Sequence, residues 1–231
     1  MTTIGDNLQS VRTRITTACA AAGRAPDSVA LLAVSKTFGP EAVREAFAAG
    51  QATFGENYIQ EAVEKIALLK DLPLQWHCIG PIQSNKTRLV AAHFDWAHTV
   101  DRLKIAQRLS EQRPDDLPPL QVCIQVNIDG GASKSGVAPA EALALARNIA
   151  ALPRLALRGL MTIPEPSPDA QEQLAVHQRA RALFDDLCRA GLTLDTLSMG
   201  MTADLETAVQ AGSTMVRVGT AIFGGRVRPA P

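Results

Sequence analysis

Eight short apolar runs recur along this chain, and a stretch of helical spacing follows each of the first seven. The first run, VALLAVS at 29–35, is apolar almost throughout, as a strand buried on both faces reads. The others fall at 53–57, 74–80, 94–100, 120–127, 155–163, 196–200 and 213–220. Between them the apolar positions return every three or four residues, as with Ile59, Val63 and Ile66, or Ala180, Leu183, Phe184 and Leu187. Pro40 and Glu41 open one of these helices, which should stop near Gly50. Ile4, Leu8, Val11 and Ile15 set a further amphipathic helix ahead of the first strand. Strand–helix alternation argues for parallel pairing through right-handed crossovers. Eight units predict closure into a (β/α)8 barrel of TIM type with an extra N-terminal helix. An open doubly wound sheet is the competing arrangement. It usually places a glycine-rich turn after strand one, and SKTFGP is no such turn.

The length of 231 residues suits one such barrel, which typically needs about 250 residues. No linker divides the chain, so one domain over 1–231 is expected. Lys+Arg and Asp+Glu are each 23, so the formal charge is zero. That balance gives no reason to expect a nucleic acid or an anionic membrane as partner. Cys19, Cys78, Cys123 and Cys188 are far apart in sequence, with no CxxC and no zinc spacing. They read as small core residues in a reducing compartment. The N-terminal stretch lacks an apolar signal core. No run approaches the ~18 apolar residues of a membrane span. A cytoplasmic protein is expected, and a monomer, since no exposed apolar stripe is evident.

In a barrel of this kind the carboxyl ends of the strands form the site. Lys36 closes a fully apolar strand, so its amine should sit beside the core. Burial disfavours the ammonium form, and a neutral amine is the nucleophile that a carbonyl ligand needs. A lysine whose stem runs out to solvent suits the same position as well. After strand seven, Gly200 permits a tight turn and Thr202 can cap the next helix. After strand eight, Gly219 lets backbone approach closely and Thr220 offers a hydroxyl. Barrel phosphate sites use these two loops, although turn glycines and a helix cap alone would give the same pattern. Asp204 and Glu206 lie in the same turns and would repel an anion if they pointed inward. Arg217 stands among apolar neighbours in VRVGT and needs a partner. That partner is either a carboxylate such as Glu56 or a ligand acceptor such as a pyridine nitrogen.

The segments AVSKTF, FGENYIQE, WHCIGPIQSNK, SKSG, SMGMTAD and VRVGTAIFGGR resemble those of the pyridoxal phosphate homeostasis protein family. That family is related in fold to the barrel domain of alanine racemase. The likeness runs in order through nearly the whole chain. It implies that Lys36 holds pyridoxal 5'-phosphate (PLP) as a Schiff base and that Asn57 sits near the cofactor. It implies that Ser198, Thr202, Gly219 and Thr220 bind the phosphate and that Arg217 faces the pyridine nitrogen. Thr202 stands where the family often has serine, which keeps the hydroxyl. Cys78 stands where an aromatic residue is common, which bears on packing rather than chemistry.

A cationic Arg217 would keep the pyridine nitrogen unprotonated and weaken the electron sink of ordinary PLP catalysis. The expectation is therefore a PLP carrier or buffer, which releases the cofactor or passes it to apo PLP-dependent enzymes. The alternatives are a weak amino-acid racemase and, more remotely, a Schiff-base aldolase for a sugar phosphate. A racemase needs a second base. Tyr58, the one tyrosine, reads instead as a packed ring with a wet hydroxyl. Lys134, in DGGASKSG, is either a solvated loop lysine or a second amine that relays PLP. His77 reads as a satisfied core histidine; His93 and His98 flank strand four, and His177 lies on a long helix. None has metal-ligand spacing, so no metal is expected. Asn85 and Lys86 read as a helix start with surface charge. Arg226 and Arg228 either draw the phosphate inward or keep the tail soluble.

Overall fold

The computed structural model describes residues 3–131 and 134–225. The chain opens with α1 (Ile4–Ala21), then runs β1 (Ala30–Val34), α2 (Pro40–Ala48), β2 (Thr53–Glu56), α3 (Ile59–Leu68) and β3 (Gln75–Cys78). A 3-10 turn at Ser84–Lys86 leads into α4 (Thr87–His93), followed by β4 (Trp96–Val100), α5 (Leu103–Gln112) and β5 (Leu120–Gln125). A second 3-10 turn, Pro139–Glu141, leads into α6 (Ala142–Ala150), then β6 (Leu155–Met161) and α7 (Ala170–Arg189). The last elements are β7 (Thr196–Ser198), α8 (Leu205–Gln210), β8 (Met215–Val218) and α9 (Thr220–Phe223). The eight strands are parallel, follow chain order and close β8 onto β1, with Ala30 opposite Met215 and Ala33 opposite Val218. The expected barrel and its leading helix are both present.

Local chemistry sets the boundaries. Thr3 and Asp6 form a capping box at the start of α1: Thr3 Oγ1 accepts from the Asp6 amide and Asp6 Oδ2 accepts from the Thr3 amide, both at 3.1 Å. Pro40 occupies the first turn of α2 behind Gly39, as expected. One expectation fails at the end of the barrel. Residues 213–220 do not form one strand: β8 stops at Val218, and Thr220 opens a short ninth helix. Its turn closes when the Ile222 and Phe223 amides return to the Gly219 carbonyl, both at 2.9 Å. α1 packs along α2, α8 and α9, and Asn7 Nδ2 donates to the Ile222 carbonyl at 2.9 Å. The extra N-terminal helix therefore covers the seam where β8 meets β1.

Side chains alternate between the two faces of each strand. Ala33, Phe54, Val122 and Leu160 join one large apolar cluster with the helices around the barrel. Leu32 and Val34 instead pack with Ile79 and Met215 inside it, and Trp96, Cys123 and Met161 form a separate inner patch. The four cysteines are free thiols, and three of them are buried. Among the described residues no helix is long and apolar enough to cross a membrane. Nor does any group of three or more histidine, cysteine, aspartate or glutamate residues among them lie close enough to hold a metal ion.

Candidate functional site

A cavity of about 310 Å³ opens at the carboxyl ends of the strands. Lys36, Asn57, Thr202, Arg217, Gly219 and Thr220 all line it. A larger hollow of about 400 Å³ lies between α1 and α8, over the half-exposed Arg14 and Glu206, and shares no lining residue with the first.

Lys36 leaves β1 on a backbone gripped from both sides. The carbonyl of Ser35 accepts from Lys65 Nζ at 3.0 Å, and the Thr37 amide donates to Glu61 Oε1 at 3.0 Å. Thr37 itself adopts φ 69, a left-handed conformation uncommon outside glycine. Behind this turn Lys65 Nζ donates to Glu56 Oε1 at 2.6 Å, and Ser35 Oγ donates to the same oxygen at 2.7 Å. Glu56 and Lys65 are both buried. Burial pushes the Glu56 carboxyl up, while the charge and hydrogen bond of Lys65 oppose it. Glu56 is thus the partner of Lys65 and Ser35, not of Arg217. Sequence reasoning missed Lys65, whose one signal was its place four residues after Glu61 on the same helix.

Arg217 is buried in β8. Its Nη1 donates to Ser198 Oγ at 2.7 Å and its Nη2 to the Thr162 carbonyl at 2.8 Å. Burial brings its pKa down to about 10, opposed by the charge of Asp204, so it stays cationic at neutral pH. Ser198 departs from expectation. It is fully buried below the cavity, and its hydroxyl is engaged by Arg217 and by His98 Nδ1 at 3.0 Å. Of the residues expected at the phosphate, it is the one that does not line the cavity.

The two acids at the start of α8, Asp204 at its N-cap and Glu206 in its first turn, do not line the cavity. Asp204 Oδ1 accepts from the Met201 amide at 2.7 Å, and its Oδ2 lies 2.9 Å from His177 Nε2. Burial pushes the Asp204 carboxyl up, but these bonds outweigh it and hold the group below the usual carboxylate range. Arg14 binds both carboxylate oxygens of Glu206 and also the Thr202 carbonyl, at 2.8–2.9 Å. The repulsion anticipated from these acids is therefore absent. Asn57 is held by a close backbone approach. A Cβ at Gly80 would stand 2.0 Å from the Asn57 carbonyl oxygen, so only glycine lets the β3 end lie against it. Asn57 Oδ1 is buried without a hydrogen-bond partner among the described residues. Gly219 plays a similar part, since a Cβ there would meet the Val34 carbonyl at 3.0 Å.

Residues 7–227 match the family described as alanine racemase, N-terminal domain. A pyridoxal phosphate homeostasis protein of Pseudomonas aeruginosa is 61% identical over 231 residues, covering 100% of this chain and 99% of that one. The protein of the same name in Escherichia coli is 53% identical over 229 residues, covering 98% of each. The chain belongs to the pyridoxal phosphate homeostasis protein family. Among solved structures, PipY of Synechococcus elongatus, determined with PLP bound, is 40% identical with a TM-score of 0.84. That match covers 96% of this chain and all of PipY. An alanine racemase of Clostridium difficile, 14% identical, aligns with a TM-score of 0.76 over 96% of this chain and 58% of its own. It shares the fold.

Other residues singled out in this homeostasis-family chain fall outside the cavity lining. Tyr58 caps α3 with its ring half exposed rather than packed. Lys134 Nζ lies 3.4 Å from Glu165 Oε1 in the loop after β5. Lys86 Nζ donates to Gln60 Oε1 at 2.7 Å on the surface. His93 ends α4, whereas His98 lies inside β4 rather than beside it and is fully buried, as is His77. Arg226 and Arg228 lie outside the described residues.

Proposed function

We propose that this chain, as a single barrel domain, holds PLP as a Schiff base on Lys36 and carries or buffers it in vitamin B6 homeostasis rather than turning over a substrate. The observation that carries the reading is the one cavity that brings Lys36, Arg217 and the Gly219–Thr220 turn together. The full-length likeness to pyridoxal phosphate homeostasis proteins and to a PLP-bound structure supports it.

The donor set suits the cofactor. Asn57 Oδ1, buried and lacking a partner, is unfilled polar capacity beside the lining of that cavity. Thr202 and Thr220 offer hydroxyls, and the acids near them do not line the cavity. When bound, PLP supplies an aldehyde open to reversible capture by an amine and a ring able to act as an electron sink. Arg217 disfavours the second use, because a guanidinium can donate a hydrogen bond to the ring nitrogen but keeps its own proton and repels a protonated ring. Lys36 provides the amine, and its backbone is held from both sides by Lys65 and Glu61. Tyr58 does not line the cavity, so the base that a racemase needs is not offered there. The reading extends to a cytoplasmic monomer that passes PLP to apo PLP-dependent enzymes and has no nucleic-acid or membrane partner.

Purified protein mixed with PLP should show visible absorption that borohydride abolishes, and Lys36→Ala should show none. Incubation with free L- or D-alanine should give no measurable inversion. A colourless wild-type protein would overturn the cofactor assignment, and steady racemisation would overturn the carrier role.

A further inference from the structure

Barrel interiors of this type are usually filled by Val, Ile and Leu. Here a line of polar side chains crosses the interior instead. From Arg217 on β8 it passes to Ser198 on β7, His98 on β4, His77 on β3 and Gln75 at the amino end of that strand. The His98 Nδ1–Ser198 Oγ distance is 3.0 Å, His77 Nδ1–His98 Nε2 is 2.9 Å and His77 Nε2–Gln75 Oε1 is 3.1 Å. Ser198, His98 and His77 are fully buried, and of the five residues Arg217 lines the cavity while the others do not.

One proton assignment satisfies every contact. A guanidinium has no acceptor, so Ser198 Oγ must accept from Arg217. Its single proton then goes to His98 Nδ1. The remaining proton of His98 lies on Nε2 and goes to His77 Nδ1, and that of His77 lies on Nε2 and goes to Gln75 Oε1. With both rings neutral the line runs one way, because Gln75 Oε1 at its far end only accepts and so fixes the His77 proton on Nε2. Both rings are neutral in this assignment. Burial agrees, bringing His77 down to about 3 and His98 well below its ordinary value, the latter helped by His77 and Arg217. A buried polar group left unsatisfied costs about 1–3 kcal/mol. Apolar side chains would fill the same space without that risk.

We propose that Ser198, His98 and His77 are positioning residues for Arg217: they fix one direction of hydrogen bonding, present Ser198 Oγ as an acceptor, and so set which way the guanidinium's remaining N–H groups face in the cavity. The proposal rests on the reading of that cavity as a PLP site. Removing the acceptor at position 98 frees the Ser198 proton to point elsewhere, and the contact with Arg217 loses its orientation. An asparagine at 98 keeps an acceptor close to the place of Nδ1, whereas a leucine does not.

Two measurements test it. Long-range proton–nitrogen NMR of the ligand-free protein at neutral pH should show His77 and His98 both as neutral Nε2–H tautomers. PLP titration should show His98→Leu binding about tenfold more weakly, as expected for a charged hydrogen bond of about 1.5 kcal/mol. The same variant should have a displaced visible band, and His98→Asn should recover most of both effects. Circular dichroism and thermal unfolding separate this from simple loss of fold. An Nδ1–H tautomer at either ring would overturn the proposal, as would a folded His98→Leu variant with wild-type affinity and band. The tautomer measurement needs no PLP, so it decides this proposal even if wild-type protein fails to bind the cofactor.

Discussion

The shell between strands and helices and the space inside the barrel are built on opposite principles. The shell is continuous and apolar, with Phe54, Leu109 and Leu160 fully buried in it. The interior holds two small apolar patches, Leu32, Val34, Ile79 and Met215 on one side and Trp96, Cys123 and Met161 on another. The line from Arg217 to Gln75 crosses the same interior, and the Glu56–Lys65 pair is buried just outside Lys36. Apolar burial contributes most of a fold's stability and is indifferent to direction. Hydrogen bonds add little net energy but fix orientation. The shell therefore holds the barrel together, and the interior aims a small number of groups at its mouth.

Substitutions should separate these two roles. Phe54→Ala, in the shell against Trp76 with ring centroids 5.7 Å apart, should cost about 3–5 kcal/mol in denaturant unfolding. The folded fraction should still take PLP with a normal visible band. Gly80→Ala forces a Cβ into the Asn57 backbone and should cost about 1–3 kcal/mol. It should also weaken PLP, because Asn57 lines the cavity; unchanged affinity would show that Asn57 does not touch the cofactor. Ser198→Ala should reverse the Phe54 pattern. Its stability should move by no more than about 2 kcal/mol, while PLP affinity falls about tenfold by titration. Arg14→Ala should have the smallest effect. It removes a half-exposed pair with Glu206, worth about 0–1 kcal/mol, and a hydrogen bond to the Thr202 carbonyl that leaves the Thr202 hydroxyl untouched, so PLP binding should stay within about threefold. A large loss of PLP in that variant would place the α1–α8 contact within the site rather than behind it.

The contrast also explains what was readable in the sequence. Helical spacing is set by burial against the barrel, so Ile15, Ile66, Phe184 and Leu187 announce the shell directly. Strand ends follow from the apolar runs, and with them come Lys36, Asn57 and Arg217 at one mouth. The interior is harder. A parallel strand buried on both faces carries no alternation of polar and apolar residues to say which side chains point inward. His77 and His98 were visible as histidines in apolar runs, but nothing in WHC or WAH says that their rings meet. Glu56 is one of two partners the sequence offers Arg217, and no spacing shows that Lys65 reaches Glu56 from a helix instead. Ser198 comes to the phosphate only through the family resemblance, and nothing in SMGMTAD says that its hydroxyl is buried against Arg217. VRVGTAIF is apolar on both sides of Gly219, and hydrophobicity alone does not distinguish a strand through Thr220 from the four-residue helix that Thr220 opens.

The central claim is that the amine at the end of β1 holds PLP at the mouth of this barrel. Peptide mass spectrometry of the PLP-loaded, borohydride-reduced protein tests it most directly. The account predicts one added phosphopyridoxyl mass, on the peptide containing Lys36. The same mass on Lys65, Lys134 or any other lysine, with residue 36 unmodified, would contradict it.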